Sequence, residues 1–186
     1  MSLLTAASCS SKIPHTIVRD YEKVRPRLIA VLPVENRTAE QQAGKILREK
    51  LLADLYFKGY PKIPLKLIDE RLAAYYQGGR GAGGRVPPDV VAKALGVDAV
   101  LYTSLDECKI SYFLMFAWIT VSSTYELRSG KTGETLWKTD YRAKRRNFSF
   151  FRKDLETSVY LVYEDVIREG ADKAVETLPD GPDFVK

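Results

Sequence analysis

The sequence predicts a single α/β domain around a mixed sheet of about five strands, in the order β-α-β-α-α-β-β-β-α. Two observations favour this fold class. Extended and helical patterns alternate through the first half of the 186 residues, as in crossover connections between parallel strands. Three extended segments then follow one another, which predicts an antiparallel meander, and a long C-terminal helix ends the domain.

The first crossover begins with an apolar run at 27–34, whose branched residues suit a strand that is buried on both faces. The helix after it is expected to start where Thr38 and Gln41 have the spacing of a capping box, and to stop at Gly59. The run 65–68 is expected to be the second strand.

The second crossover is expected to contain two short helices. Asp69 is predicted to cap the first helix. Two prolines before Asp89 start the second helix, which Gly96 closes. Between the helices lies the segment 78–85, whose glycine content predicts a loop.

The meander follows from alternation and turn residues. Val121, Tyr125 and Leu127 alternate with polar residues, which predicts a strand with one buried face. The glycines at the two ends of 130–133 predict a hairpin turn. We therefore expect strands at 98–105, 111–127 and 135–141, and the final helix at 155–178, before Pro179.

The bulk composition suits one domain, which we place at 26–179, with a short tail at 180–186. Hydrophobic residues make up 45% of the chain, which is enough for a core. The net charge of +5 and the pI near 9.1 fit a nucleic-acid binder and equally a protein beside an anionic membrane. Charge alone therefore does not choose between these two classes.

Residue types that carry catalysis are scarce. His15 is the single histidine, and the two cysteines, Cys9 and Cys108, form neither a disulfide framework nor a zinc pattern. The segment 79–84 matches G-x-G-x-x-G, but it follows a predicted helix instead of joining a strand to a helix, so we interpret it as a loop. We predict a protein that is not an enzyme, with no catalytic residues, no cofactor and no metal.

Residues 1–25 are expected to hold a signal-peptide remnant, a lipobox and a polar tether. Apolar residues at 3–8 end in small side chains just before Cys9. This resembles the bacterial lipobox, in which signal peptidase cuts before a cysteine whose thiol carries diacylglycerol. Ala6 stands where leucine is usual and the basic n-region is missing, so a tail with an incidental cysteine is the alternative. Ser10 implies outer-membrane sorting, by the rule that such lipoproteins follow.

Three motifs carry a wider family resemblance over about residues 18–141. They are Arg-Pro-Arg-Leu-Ile-Ala-Val-Leu-Pro-Val-Glu-Asn at 25–36, Gly-Val-Asp-Ala-Val-Leu-Tyr at 96–102 and Lys-Thr-Gly-Glu-Thr-Leu-Trp at 131–137. Together they resemble a family of uncharacterised bacterial lipoproteins, which are often encoded near lipoproteins of the curli-secretion (CsgG) type.

The resemblance implies a domain related to the CsgG periplasmic domain and to the TolB N-terminal domain. Together with the lipobox and Ser10, it leads us to expect a palmitate-carrying lipoprotein of the cell outer membrane that faces the periplasm. Its implied partners are envelope proteins, with a CsgG-like lipoprotein as one candidate, and a homo-oligomer stays open. It implies no known catalytic residues.

The segment 112–119 is apolar throughout and too short to span a bilayer as a helix. A half-exposed strand normally keeps one face polar, so either a helix covers the second face or the segment is a contact surface. The candidate contacts with a partner or a membrane, in this segment and further along the chain, are Leu114, Phe116, Trp118, Phe148, Phe150 and Phe151.

A basic stretch surrounds the last three of these phenylalanines. Three interpretations are open. The stretch is a solvated loop whose phenylalanines pack under the final helix, a membrane or partner contact, or a nucleic-acid site in which cations neutralise phosphates and aromatic rings stack on bases. The candidate basic patch consists of Arg142, Lys144, Arg145, Arg146, Arg152 and Lys153.

Together these features predict a lipid-anchored periplasmic interaction or assembly module, accessory to a secretion or transport complex of the envelope. The alternative function is a soluble basic module that binds nucleic acid. The first hypothesis depends on the surroundings of Cys9, and the second depends on the basic stretch at 142–153.

Overall fold

The computed structural model describes residues 13–77 and 85–183. These residues form six strands and five helices. The strands are β1 (His15–Ile17), β2 (Ile29–Val31), β3 (Glu35–Asn36), β4 (Ala99–Phe113), β5 (Phe116–Ser129) and β6 (Thr135–Phe148). The helices are α1 (Tyr21–Val24), α2 (Gln41–Phe57), α3 (Leu65–Gln77), α4 (Pro88–Leu95) and α5 (Arg152–Glu176).

The strands form one mixed sheet in the order β1-β6-β5-β4-β2, and β3 pairs with β4 beside β2. Both β2 and β3 run parallel to β4, whereas β4, β5 and β6 form an antiparallel meander and β1 pairs antiparallel with β6. The predicted α/β class with a mixed sheet and a C-terminal helix is confirmed, with six strands where about five were expected.

Two apolar clusters hold helices on opposite faces of the sheet. On one face, α2 and α5 pack through buried residues such as Leu47 and Ile167. On the other face, α3 and α4 pack through Leu72 and Val91 against the strands at Val100. The second cluster includes no residue of β5 or β6, so the helices of this face pack mainly on the half of the sheet that contains β2 and the start of β4.

The strand predicted at 65–68 is wrong. Leu65 begins α3, and Ile68 and Leu72 lie one helical turn apart with both side chains fully buried. Asp69 does not cap a helix but receives two hydrogen bonds from Arg48 of α2, at 2.7 and 2.9 Å. The chain therefore makes one crossover that contains three helices, where two crossovers were predicted.

The part of the chain predicted to be a tether includes folded residues. β1 adds to the edge of β6, and Tyr21 of α1 is buried, with its hydroxyl 3.0 Å from that of Tyr60. These two elements are short, so neither shows a periodic apolar pattern in the sequence. The folded part of the chain thus extends at least from His15, ahead of the expected start at Pro26.

The long strand predicted at 111–127 is also wrong in its bounds. Its first three residues end β4, the chain turns at Leu114 and Met115, and β5 begins at Phe116. Leu114 lies at φ 51°, in the left-handed region that residues other than glycine or asparagine rarely adopt. β6 continues to Phe148, seven residues beyond the predicted end at Tyr141.

Other local predictions are confirmed. Gly96 closes α4 at φ 68°, and its N–H donates to the carbonyl of Ala92 at 2.8 Å. Gly133, at φ 74°, completes the turn between β5 and β6. Along β5, Val121, Tyr125 and Leu127 are all buried, as their alternation predicted.

Candidate interaction surface

The three long strands continue past the rest of the sheet as a distal arm, which we define as residues 106–123 and 141–148. β3 ends beside Leu105, and beyond that residue no described strand pairs with the outer edge of β4. β1 pairs with β6 only at 137–139, so the arm consists of β4, β5 and β6 alone.

The register assigns each arm residue to one of two faces, because directly paired residues point to the same side of a sheet. Ala117, Ile119 and Val121 of β5 are buried in the cluster that contains α5. The intervening residues form the other face, which we call the open face. From the apex inward its rows are Phe113, Phe116 and Phe148; then Ser111, Trp118 and Arg146; then Lys109, Thr120 and Lys144; then Glu107, Ser122 and Arg142.

Apolar side chains crowd the apex of the arm, and most of them are exposed. Leu114 is 80% exposed and Phe113 is 64% exposed, whereas Phe116 and Trp118 are half-buried. The interpretation of the segment 112–119 as core therefore does not hold for the residues at the apex, Phe113 and Leu114. We define the aromatic tip as Phe113, Leu114, Met115, Phe116, Trp118 and Phe148.

The aromatic tip is an ordered cluster of rings. The ring of Phe116 lies 5.2 Å from that of Phe148 and 5.9 Å from that of Trp118, between centroids. The N–H of Ser149 donates to the carbonyl of Met115 at 3.0 Å, which ties the end of β6 to the apical turn. Aromatic pairs at these separations contribute about 1 kcal/mol each beyond their burial. The left-handed Leu114 costs roughly 1 kcal/mol in return.

Phe150 and Phe151 follow β6 and precede α5. Both side chains are mostly exposed, so they do not pack under the final helix as one of the sequence interpretations had it. The ring of Phe150 packs edge-on against Phe148, with 4.9 Å between centroids. The sequence-predicted contact residues are therefore brought together at one end of the molecule.

The predicted basic patch is divided between different parts of the structure. Arg142, Lys144 and Arg146 lie on the open face, whereas Arg145 points to the other side and pairs with Glu169 of α5. Lys153 is exposed near the start of α5. Arg152 is the first residue of that helix, and its side chain lies outside those that the structure describes.

Two of the open-face cations have partners within the arm. Arg142 forms an ion pair with Glu107 at 2.7 Å, and the guanidinium of Arg146 lies 5.5 Å from the ring centroid of Phe116. Lys109, which sequence reasoning missed, lies in the same row as Lys144. Every charged residue at 108–123 and 141–153 is Lys or Arg, and the acidic residues Asp106, Glu107 and Asp154 border these two stretches.

Comparison with known proteins shows the family. A family model described as "Putative lipoprotein GNA1162-like" matches residues 18–178. The chain belongs to the GNA1162-like family. The lipoprotein family expected from the three motifs is thereby confirmed. One relative is "Putative lipoprotein NMB1124/NMB1162" of Neisseria meningitidis serogroup B (strain ATCC BAA-335 / MC58), 24% identical over 137 residues. That match covers 73% of this chain but only 64% of the relative, so the chain spans less than two thirds of the relative's length.

Solved structures share the fold. The crystal structure of lipoprotein GNA1162 from Neisseria meningitidis superposes with a TM-score of 0.55 at 25% identity, over 76% of this chain and 98% of that one. The PelC dodecamer from Paraburkholderia phytofirmans gives a TM-score of 0.51 at 17% identity, over 87% and 95% of the two chains. At that identity the second likeness shows the fold alone.

The GNA1162-like domain also has a groove of about 380 Å³ where β2 and β3 end beside α2. Several of its polar groups have partners within the chain. Arg48 pairs with Asp69 and donates to the carbonyl of Val31, at 3.1 and 3.2 Å. The carboxamide of Asn36 accepts hydrogen bonds from Thr38 and donates to the carbonyl of Glu40. These contacts connect helices and loops of the domain.

Groups with reactive chemistry are dispersed over the family domain. The Cys108 thiol is half-buried and donates to the Tyr163 hydroxyl at 3.5 Å, and burial raises the pKa of that thiol. Within 13–77 and 85–183, His, Cys, Asp and Glu side chains do not gather into a metal-binding group. No helix of those residues has both the length and the apolar character that a bilayer crossing needs. Cys9 and the glycine-rich segment 78–84 lie outside the described residues.

One buried charged group was missed entirely. Asp54 of α2 is buried and forms an ion pair with Lys50, which also pairs with Asp172 of α5. Burial raises the pKa of Asp54 to about 6, against the effect of the neighbouring ammonium group. This cluster joins α2 to α5, two helices that are far apart in the sequence. Only the packing of these helices brings the three residues together.

Proposed function

We propose that the chain is an outer-membrane lipoprotein, anchored by a palmitate-carrying Cys9, whose domain faces the periplasm as an interaction or assembly module. Membership of a family described as lipoproteins supports the anchor. The name of the meningococcal relative, also a lipoprotein, supports it as well. The complex that the module serves is proposed to act in secretion or transport across the envelope.

The interaction role depends on one observation, which is the aromatic tip of the distal arm. Soluble monomers seldom expose a contiguous apolar patch without a binding function. Here Phe113 and Leu114 are exposed at the apex, and Phe150 is exposed just after the end of β6. No helix of the described residues covers the open face of this part of the sheet. We propose Leu114, Phe116, Trp118, Phe148, Phe150 and Phe151 as contact residues.

Envelope proteins are the proposed partners, and a CsgG-like lipoprotein is one candidate. We also propose that the domain is related to the CsgG periplasmic domain and the TolB N-terminal domain. Additional copies of the same chain are a further candidate partner. PelC of Paraburkholderia phytofirmans is a dodecamer, which is a property of that protein. Light scattering after size-exclusion chromatography measures the assembly state of this chain directly.

A non-enzymatic role fits the surroundings of the titratable groups. Arg48, Asp69 and Arg37 are each engaged in ion pairs that connect elements of the fold. The Cys108 thiol has a raised pKa and no basic partner among the described residues, so it is poorly suited to act as a nucleophile.

The nucleic-acid alternative is less favoured by the arrangement of the basic residues. Arg145 is directed to α5 and Arg142 is paired with Glu107, so fewer cations remain for phosphates than the sequence suggested. A gel shift at low salt tests this alternative, because phosphate contacts weaken steeply as salt rises.

Metabolic labelling with palmitate tests the proposed anchor. The full-length gene product should incorporate label and fractionate with the outer membrane, and the Cys9→Ala variant should lose both properties. A photo-crosslinking residue at Phe150 should capture an envelope protein, whereas the same residue at Phe57, an equally exposed phenylalanine on α2, should not. Absence of labelling would reject the anchor, and equal capture at both positions would reject the contact surface.

A further inference from the structure

We infer that the aromatic tip inserts into the interface of an anionic lipid bilayer and so gives the domain a second membrane attachment beside its lipid. This inference rests on the proposed envelope location and names the ligand of the same surface. Three independent observations carry it: the order of residue types along the arm, the sign of its charge and the direction of β1.

The open face changes character with distance from the apex in the order that a bilayer interface requires. Leu114 and Met115 form the apex, and the phenylalanine row of Phe113, Phe116 and Phe148 follows. The next rows add Trp118 and cations. Successive rows are two residues apart, or about 7 Å along a strand. Apolar side chains would enter the acyl region, the indole would lie at the interface, and the cations would reach the phosphates.

The charge of the arm complements an anionic surface. Behind the phenylalanine row, the open face presents Arg146, Lys144 and Lys109 in two successive rows. Acidic residues are missing from 108–123 and 141–153, and Asp154, in the first turn of α5, is the first acidic residue after this stretch. Binding to a protein partner would not explain why apolar, aromatic and cationic rows succeed one another with distance from the apex.

The direction of β1 points the start of the described chain towards the arm. β1 is antiparallel to β6, with His15 opposite Thr139 and Ile17 opposite Trp137. Going back along the chain from His15 therefore leads towards the arm. The Thr139 hydroxyl donates to the carbonyl of Pro14 at 2.7 Å, which fixes this exit direction.

Chain lengths make the two attachments compatible. Cys9 lies six positions before His15, a span of about 20 Å if extended, whereas Phe148 lies nine positions after Thr139 along β6, or about 30 Å. Measured along the arm from the pair of His15 and Thr139, the apex thus lies at least as far away as an anchor at Cys9 can reach. A lipid seated in the bilayer would hold the apex at the same membrane surface.

Vesicle binding by the full chain with Cys9→Ala tests the inference without the lipid anchor. The protein should sediment with vesicles of phosphatidylethanolamine and phosphatidylglycerol, and bind weakly to neutral phosphatidylcholine vesicles. The chain has two tryptophans, and Trp137 is buried in the domain, so Trp118 reports on the tip. Its emission should shift to the blue and be quenched by brominated acyl chains, and Trp118→Phe should lose this signal.

Variants separate the tip from general stickiness. Phe113→Ser combined with Leu114→Asn should abolish vesicle binding, and asparagine suits the left-handed backbone at 114, so the fold should be kept. Phe57→Ser, on α2 away from the arm, should bind as the parent does. Removing two cations with Lys144→Gln and Arg146→Gln should weaken binding to anionic vesicles about thirtyfold. Thermal unfolding of each variant verifies folding.

The inference is overturned if the Cys9→Ala protein does not bind anionic vesicles at low salt, if Trp118 emission stays unchanged on binding, or if Phe57→Ser weakens binding as much as the tip variant. A gel shift with RNA in place of vesicle binding would likewise overturn it. Palmitate labelling is a separate measurement. Labelling without vesicle binding rejects the tip and keeps the anchor, whereas vesicle binding without labelling keeps the tip and rejects the anchor.

Discussion

The two halves of β4 show how the body of the domain differs from its distal arm. All seven residues from Ala99 to Leu105 are buried, because helices cover both faces of the sheet there. None of the residues from Asp106 to Phe113 is fully buried. One continuous strand thus passes from a two-sided core into a region covered on one face. The comparison indicates that the body supplies stability and that the arm is available for contact.

The largest expected effect is in the body. Leu47→Ala should lower the free energy of unfolding by about 3 kcal/mol, because Leu47 is fully buried between α2 and the sheet and its loss leaves a cavity. Urea unfolding measures this difference. Phe113→Ser at the apex should change the same quantity by less than about 0.5 kcal/mol. Similar losses for both variants would contradict the division between body and arm.

A smaller effect on stability is expected in the body when the pH is changed. Burial raises the pKa of Asp54 to about 6, above its value in the unfolded chain, so protonation favours the folded state. The stabilising contribution of this group therefore grows as pH falls through 6, by about 1 kcal/mol between pH 7 and pH 5. Asp54→Asn should remove this dependence, and urea unfolding of both proteins at the two pH values measures it. Parallel pH profiles would contradict the prediction.

A weaker effect is expected where the arm meets α5. Arg145→Gln removes the ion pair with Glu169, which lies at a partly exposed position. Pairs of this kind contribute about 0.5 kcal/mol, so global stability should fall only slightly. Amide hydrogen exchange should become faster in 141–148 while β2 stays protected. Lys144→Gln, on the open face, provides the matched control and should leave exchange unchanged.

The last expected effect is equally small and has the opposite sign. Leu114→Asn relieves a left-handed backbone that asparagine tolerates, and should stabilise the protein by about 0.5 kcal/mol. Differential scanning calorimetry measures the shift in the unfolding temperature. A stability gain together with weaker vesicle binding would show that the leucine serves contact at the cost of strain. A clear loss of stability would show instead that its side chain packs within the fold.

The sequence predicted those elements whose hydrophobic pattern is bounded by turn-forming residues such as glycine. The start of the strand at Ala99 and the turn at Gly133 are of this kind, whereas the predicted end of that strand at Leu105 is wrong, because β4 continues to Phe113. The turn at Leu114 has no glycine, proline or asparagine to mark it, so the apolar run was predicted as one strand. The end of β6 was missed because cations alternate poorly with apolar residues there, and its pairing with β5 depends on tertiary structure.

The same limit applies to the candidate surface. Composition alone pointed to the apolar and basic residues that gather at the arm. The sequence could not separate Arg145 from its neighbours, because alternate residues take opposite faces only once the strand and its register are known. Lys109 was missed for the same reason, since its row with Lys144 is formed across two strand pairs. The Asp54 cluster likewise depends on helix packing.

The outer edge of β6 has a consequence for how chains meet one another. No described strand pairs with this edge beyond Thr139, so its backbone hydrogen-bonding groups are available to another strand. Arg142, Lys144 and Arg146 project from the same stretch. Two arms that approached edge to edge would bring rows of like charge together, which opposes their fusion into a continuous sheet. The cations that face outward thus also protect the chain from polymerising through its own longest strands.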